Sequence, residues 1–240
     1  MEYNKYVDIS KAYLYAQIQK DKDDKKILGH RDYMLPFVTI SREAGAGGTT
    51  ISQGLVDYLT NTDQTSGCPW TLFDKNLIQK VVKDFELSGI ESILPEGKFS
   101  EIQAVFEELF GLHPSKRELV HNIRKSIRKL ATMGNAVIVG RGGAIITRNF
   151  INGFHVRFVG SKEKRIKHMM DAYGLKRKSA EDFVEREDKE RAEYVKKLFG
   201  VNITDCHLYD MVINTDHLPY EDVIKMIAGE VFRLREMINQ

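Results

Sequence analysis

Residues 37–50 read Phe37-Val-Thr-Ile-Ser-Arg-Glu-Ala-Gly-Ala-Gly-Gly-Thr-Thr50. The first four form a short run of the kind that makes a buried strand. Gly45, Gly47 and Gly48 follow within a few residues. From Thr49 to Thr60 a helix is predicted, because Ile51, Leu55, Val56 and Leu59 share one helical face. The order is strand, glycine loop, helix. Glycines let successive N–H groups face one concavity, and a helix N-terminus adds its own unpaired donors. Such a nest takes an anion, and phosphate suits it.

Two phosphate motifs compete for this loop. A dinucleotide fingerprint, G-x-G-x-x-G/A, can start at Gly45 and Gly47, but its third small position is Thr50. A P-loop, G-x-x-x-x-G-K-[ST], fits Gly47 and Thr49 and departs twice: Arg42 stands at the first glycine and Gly48 at the lysine. The P-loop fits better, which changes the expected ligand from NAD to ATP. Thr49 is then placed to reach a magnesium ion. The absent lysine is the group that normally contacts the β- and γ-phosphates. Arg42 is a candidate source of that charge. The competing reading is a glycine-rich turn with no ligand.

Outward from the loop, strands and helices alternate. Strands are predicted at Trp70–Phe73, Ala136–Val139, Phe154–Val159 and Met211–Asn214. Helices are predicted at Lys75–Phe85, Glu101–Phe110, Ser115–Thr132, Ser161–Tyr173, Ser179–Phe199 and Glu221–Ile238, with a loop over 88–100. This is an α/β pattern: a parallel sheet flanked by helices. Ligands of such sheets sit beyond the carboxyl ends of the strands. The loops after Ile40, Phe73 and Val139 leave those ends and can share one crevice. Asp74 would face it, as a helix cap, a ligand to a metal or ribose, or both. Arg141, between Gly140 and Gly142, would project into it or pair with a carboxylate. The charged stretch 185–197 reads as a solvated helix or a mobile lid, with Gly174 and Gly200 as hinges.

Composition narrows the rest. In 240 residues, 36 basic and 34 acidic side chains nearly cancel, so nucleic acid is not expected as a partner. The basic face of 115–132 reads mainly as solvated. Cys68 and Cys206 form no disulfide framework, and no His or Cys pair has metal-ligand spacing. With no apolar leader and no run long enough to span a bilayer, a cytoplasmic protein with no membrane partner is expected. Residues 1–35 carry a loose stripe of Tyr3, Tyr6, Ile9, Tyr13 and Ile18, read as a helical appendage packing on the domain or joining a homo-oligomer.

Five segments together resemble the cytidylate kinase-like family of P-loop nucleoside monophosphate kinases. They are Val38–Gly48, Phe73-Asp74, Val137–Gly142, Asp188–Tyr194 and Leu208–Thr215, in the family's order. The resemblance implies a three-layer P-loop core over 36–240, a monophosphate-binding helical insertion at 75–133 and a lid at 174–200. It implies transfer of the ATP γ-phosphoryl to a pyrimidine monophosphate such as CMP, with magnesium. The donor phosphates would lie on Gly45, Ala46, Gly47, Gly48, Thr49 and Thr50, with Thr49 also on the metal. Asp74, Arg141 and Asp188 would bind the acceptor, and Arg42 and Arg191 would supply catalytic charge. True cytidylate kinases have lysine where Gly48 stands, and Gly-Arg-Asp where this chain reads Gly140-Arg141-Gly142. A nucleotide-binding regulator without catalysis, or a scaffold with an empty loop, are the rival expectations.

Overall fold

A computed structural model describes residues 34–63, 69–74, 124 and 127–240. The N-terminal arm, the helices expected within 75–110, the loop over 88–100, most of the helix at 115–132 and Cys68 lie outside the described residues. So do the boundaries of the expected insertion.

Five strands form one parallel sheet: β1 (Phe37–Arg42), β2 (Thr71–Phe73), β3 (Ala136–Val139), β4 (Gly153–Val159) and β5 (Met211–Asn214). Their order is β2-β3-β1-β4-β5. In β1, Val38 faces Val137 of β3 on one side and Phe154 of β4 on the other. The chain enters at the centre, visits one edge, returns beside β1 and then crosses to the other side. That reversal opens a crevice at the carboxyl ends of β1 and β3. Phe37, Val38 and Ile40 are buried, as are Ala136 to Val139. Continuous burial, rather than alternation, is what a sheet covered on both faces requires.

Helices α1 (Gly48–Thr62), α2 (Gly143–Ile146), α3 (Lys162–Tyr173), α4 (Arg177–Phe199) and α5 (Tyr220–Ile238) complete the described core, with a helical segment at 127–133. α1 buries Ile51, Leu55, Val56 and Leu59 completely, as its periodicity predicts. Each such side chain contributes about 1.5–3 kcal/mol of burial. α5 packs beside α1, close enough that a Cβ on Gly54 would meet Ile224 Cδ1 at 2.5 Å. A second, smaller core joins Ala44 of the glycine loop to Ile166 and Met169 of α3 and to Ala180 and Val184 of α4. The loop therefore rests on the α3–α4 pair as well as on the sheet.

Several local expectations change. Ser161, a residue type that often caps a helix, precedes α3 but makes no side-chain cap bond; its N–H goes to the Asp216 carboxylate at 2.9 Å. Gly174 and Gly200 close α3 and α4 in left-handed conformations, so their first role is that of helix caps. α2 and the 3-10 turn Cys206–Leu208 are additional elements, the latter capped by Asp205, which accepts from the His207 N–H at 3.0 Å. From the expected basic face, Arg124 and Arg128 lie over the rings of Phe199 and Phe150. No helix of the described residues is long and apolar enough to cross a membrane.

Candidate active site

β1 delivers Arg42 to the crevice, and the chain turns through Glu43–Gly47 into α1. Gly45 and Gly47 hold φ of 80° and 75°, left-handed conformations that favour glycine. Close approach fixes them too. A Cβ on Gly45 would lie 2.5 Å from the Arg165 carbonyl oxygen, and one on Gly47 would strike the Tyr220 ring. No side chain caps α1, no acidic residue stands in its first turn, and its first bond runs from Ile51 N–H to Gly47 O at 2.9 Å. The N–H groups of that turn are left for an anion, with the positive end of the helix behind them.

The loop's outer flank is held by charge. Arg165 donates to the Ala44 carbonyl at 3.0 Å and to Asp188 Oδ2 at 2.5 Å. Asp188 Oδ1 accepts from the Ala44 N–H at 2.7 Å. One residue of the loop is thus gripped by its N–H from α4 and by its carbonyl from α3. Glu43 accepts from the Gly160 N–H at 3.1 Å and faces Arg165 at 3.4 Å and Arg157 at 3.7 Å. Buried Arg157 also donates to Ser41 Oγ at 3.0 Å and lies over the Tyr209 ring.

Two cavities flank the inner side. A smaller one, about 100 Å³, is lined by Gly45, Gly47, Gly48, Thr49 and Thr50 of the loop together with His168 and Phe183. A larger one, about 540 Å³, is lined by Asp74, Gly140, Arg141, Glu187, Tyr194 and Tyr209 among others. Arg42, Thr49 and Arg191 line both. The metal-capable groups lining the larger cavity, the Thr49 hydroxyl and the Asp74 and Glu187 carboxylates, are all oxygen donors, a chemistry that suits magnesium rather than a softer metal; Glu187 already pairs with Arg191 at 3.0 Å.

Three arginines meet here. Arg42 lies along the loop: a Cβ on Gly48 would fall 2.6 Å from its Cγ, and one on Gly140 would fall 2.5 Å from its Nη1. Among the described residues its guanidinium makes no hydrogen bond or ion pair. Burial pulls its pKa down to about 10; the Arg191 charge adds to this, while Asp74 and Glu187 oppose it. Arg42 stays a cation at neutral pH, but one that is poorly solvated. Arg141 adopts φ of 56° between Gly140 at 80° and Gly142 at 74°. Three left-handed residues in a row are costly for the one that carries a side chain. Arg141 stacks on Tyr194 at 5.7 Å. Arg191 pairs with Glu187 at 3.0 Å and reaches the Arg42 carbonyl at 3.5 Å. The α4 arginine therefore already lies against the loop. The Tyr194 hydroxyl is buried without a hydrogen bond of proper geometry, and burial raises its pKa.

Of the residues singled out in the sequence, Arg42, Thr49, Asp74, Arg141 and Arg191 converge on the larger cavity, and Gly45, Gly47, Gly48 and Thr50 on the smaller. Two do not. Ala46 is buried, and its carbonyl accepts from Thr215 at 3.3 Å. Asp188, expected to bind acceptor, lines neither cavity; both its oxygens are occupied on the loop's outer flank. Tyr194, Tyr209 and Glu187 were not singled out. Tyr194 and Tyr209 lie within the quoted motifs, but an aromatic ring in a motif does not announce which surface it faces.

A parallel sheet whose central strand feeds a glycine loop, a helix N-terminus and a crevice of arginines defines a P-loop kinase-type fold. The chain belongs to the cytidylate kinase-like family, whose family model matches residues 37–217, and so to a class of kinase-type phosphotransferases. A cytidylate kinase of Thermoplasma acidophilum is 23% identical over 81% of this chain and 91% of its own length. A uronate isomerase of Corynebacterium glutamicum is 29% identical over 98 residues, 41% of this chain. The chain spans only 19% of that relative's length. A crystal structure of an uncharacterized protein from Eubacterium ventriosum shares the fold, with a TM-score of 0.58 and 21% identity over 82% of this chain and 98% of its own.

Proposed function

We propose that this protein transfers the γ-phosphoryl group of ATP to a small phosphorylated acceptor of the nucleoside monophosphate type, with a pyrimidine monophosphate such as CMP the first to try. One observation carries the reading: a small phosphate-sized cavity on the glycine loop and a larger cavity beside it share Arg42, Thr49 and Arg191. A group passing from one ligand to the other would pass these three residues. Family membership supports the class of reaction, and the Thermoplasma relative supports the choice of acceptor.

In the reaction, an ionised oxygen of the acceptor's phosphate forms a bond to the γ-phosphorus. The bond from that phosphorus to the β–γ bridging oxygen breaks, and ADP leaves with the electron pair. Such transfer needs mainly positioning and charge neutralisation. The first-turn N–H groups of α1 hold the donor phosphates, and Arg191 brings charge from α4. Arg141 and Asp74 face the acceptor. Thr49, with Asp74 lining the same cavity, would hold magnesium, which would supply further positive charge to the phosphates.

The test mixes purified protein, magnesium, ATP and a panel of nucleoside monophosphates, and follows ADP release. Turnover is expected with at least one pyrimidine monophosphate, and EDTA is expected to abolish it. Saturable nucleotide binding without turnover on any acceptor would instead point to a regulator.

A further inference from the structure

Two departures from the P-loop pattern stand six residues apart in the sequence: Arg42 at a glycine position and Gly48 at the lysine position. In space they touch. The Arg42 stem crosses Gly48 so closely that a Cβ there would lie 2.6 Å from Cγ and 3.1 Å from Cβ of Arg42. These atoms are the root of the side chain, which cannot swing aside as a flexible tip does. At the far end, Arg42 Nη1 would lie 2.5 Å from a Cβ on Gly140. Gly48 and Gly140 thus form the berth in which this arginine lies.

Among the described residues the Arg42 guanidinium makes no hydrogen bond or ion pair; the Asp74 and Glu187 carboxylates act on it only at longer range, and Arg42 lines both cavities. A desolvated cation with unspent donors is expensive unless an anion completes it. A guanidinium can grip two phosphate oxygens at once, where a lysine offers one point of charge.

We infer that Arg42 and Gly48 are one compensated exchange, in which the cation missing at Gly48 is delivered from β1 and grips the terminal phosphates of the donor nucleotide. This deepens the phosphotransfer reading and rests on it for its catalytic arm. Gly48 is then glycine because Arg42 occupies the lysine's path. The consequence runs against motif logic: restoring the lysine alone damages the site.

The experiment uses the full chain as wild type, Arg42→Ala, Gly48→Lys and the double variant Arg42→Ala/Gly48→Lys. Calorimetry with magnesium measures affinity for ATP, with AMP as the control lacking terminal phosphates. Turnover is measured with whichever monophosphate the wild type accepts. Each single variant is expected to lose about 100-fold in kcat and about tenfold in ATP affinity, with AMP affinity unchanged. The double variant is expected to recover at least about tenfold in kcat over either single. Gly48→Lys matching or exceeding wild type would overturn the inference, as would a double variant no better than the worse single. Thermal melting checks the fold. If Gly48→Lys does not fold, Gly48→Ala replaces it, since the same Cβ meets Arg42; wild-type ATP affinity in that variant overturns the exchange. Should the wild type turn over no acceptor, the phosphotransfer reading fails, and ATP affinity across the four proteins still decides the exchange.

Discussion

On the outer flank of the glycine loop, Arg165 gives its donors to Ala44, Gly160 and Asp188, and Glu43 faces both Arg165 and Arg157. On the inner flank, Arg42 and Arg141 make no ion pair among the described residues, and Arg191 has one carboxylate partner, Glu187 at 3.0 Å, beside the Arg42 carbonyl at 3.5 Å. The residue types are the same, and Arg42 and Glu43, one on each flank, are neighbours in the sequence. The difference lies in what completes the charge. Outside, protein groups do so, and the charges fix the loop's shape. Inside, no ion-pair partner completes Arg42 or Arg141 among the described residues, which is the pattern expected where a ligand supplies one. The second core beneath the loop fits this division: Ala44 packs on α3 and α4, so the outer flank is held by buried packing as well as by charge. A rigid outer flank allows unspent donors inside to stay aimed without collapsing onto one another.

The strongest way to break this comparison is to remove an inner charge. Arg191→Ala is expected to cut kcat by about 1,000-fold, the scale of an arginine that stabilises transferring phosphoryl charge. Stability should change little, because its partner Glu187 is partly exposed and such pairs contribute only about 1 kcal/mol or less. Steady-state kinetics and a urea melt read the two quantities separately. A variant that loses stability and keeps kcat would move Arg191 to the structural side.

Asp188→Ala tests the outer flank. It frees the Ala44 N–H and leaves Arg165 without its closest carboxylate. A loss of about 2 kcal/mol in stability is expected from the unpaired donors, measured by urea midpoint. The donor KM should rise, because the loop loses its shape, while the acceptor KM holds. A selective rise in acceptor KM would restore Asp188 to the acceptor role expected from sequence.

Much of this division was hidden in the sequence for a physical reason. β3 and β5 were legible to the residue, since Ala136–Val139 and Met211–Asn214 are apolar runs bounded by turn signals. The glycine loop was legible because glycine clusters have few other uses at a strand-to-helix turn. α2 was not, because four residues show no period. Asp188 and Arg191 are three residues apart on one helix, and the family resemblance assigns both to the site. It does not say that the loop runs between them, so that one reaches its outer side and the other its inner. Arg42 and Gly48 carried a related lesson. As motif departures they looked like two losses, and their contact makes them a single exchange.

Arg141→Gly sharpens the inner flank by separating strain from charge. A side chain at φ of 56° is costly, and glycine relieves that cost. Stability is expected to hold or rise by about 0.5 kcal/mol, since glycine also gains freedom in the unfolded chain. The acceptor KM is expected to rise about tenfold from the lost guanidinium, with the donor KM unchanged. Opposite signs in stability and function would mark strain kept for a ligand. A loss in both would mean that the stack on Tyr194 holds the turn.

The smallest expected effect is at Tyr194 itself. Its hydroxyl is buried in the cavity wall without a hydrogen bond of proper geometry, and burial raises its pKa against the pull of the neighbouring Arg141, so it stays protonated at neutral pH. An unspent buried hydroxyl costs the unliganded protein stability. Tyr194→Phe is therefore expected to stabilise the unliganded protein by about 1 kcal/mol. If the hydroxyl belongs with the ligand-facing charges, the saturating acceptor should stabilise the variant less than it stabilises wild type, because the completing bond is gone. Melts with and without acceptor measure both terms. A variant destabilised when empty would show that a protein group already completes this hydroxyl, and would move the boundary between the two flanks inward by one residue.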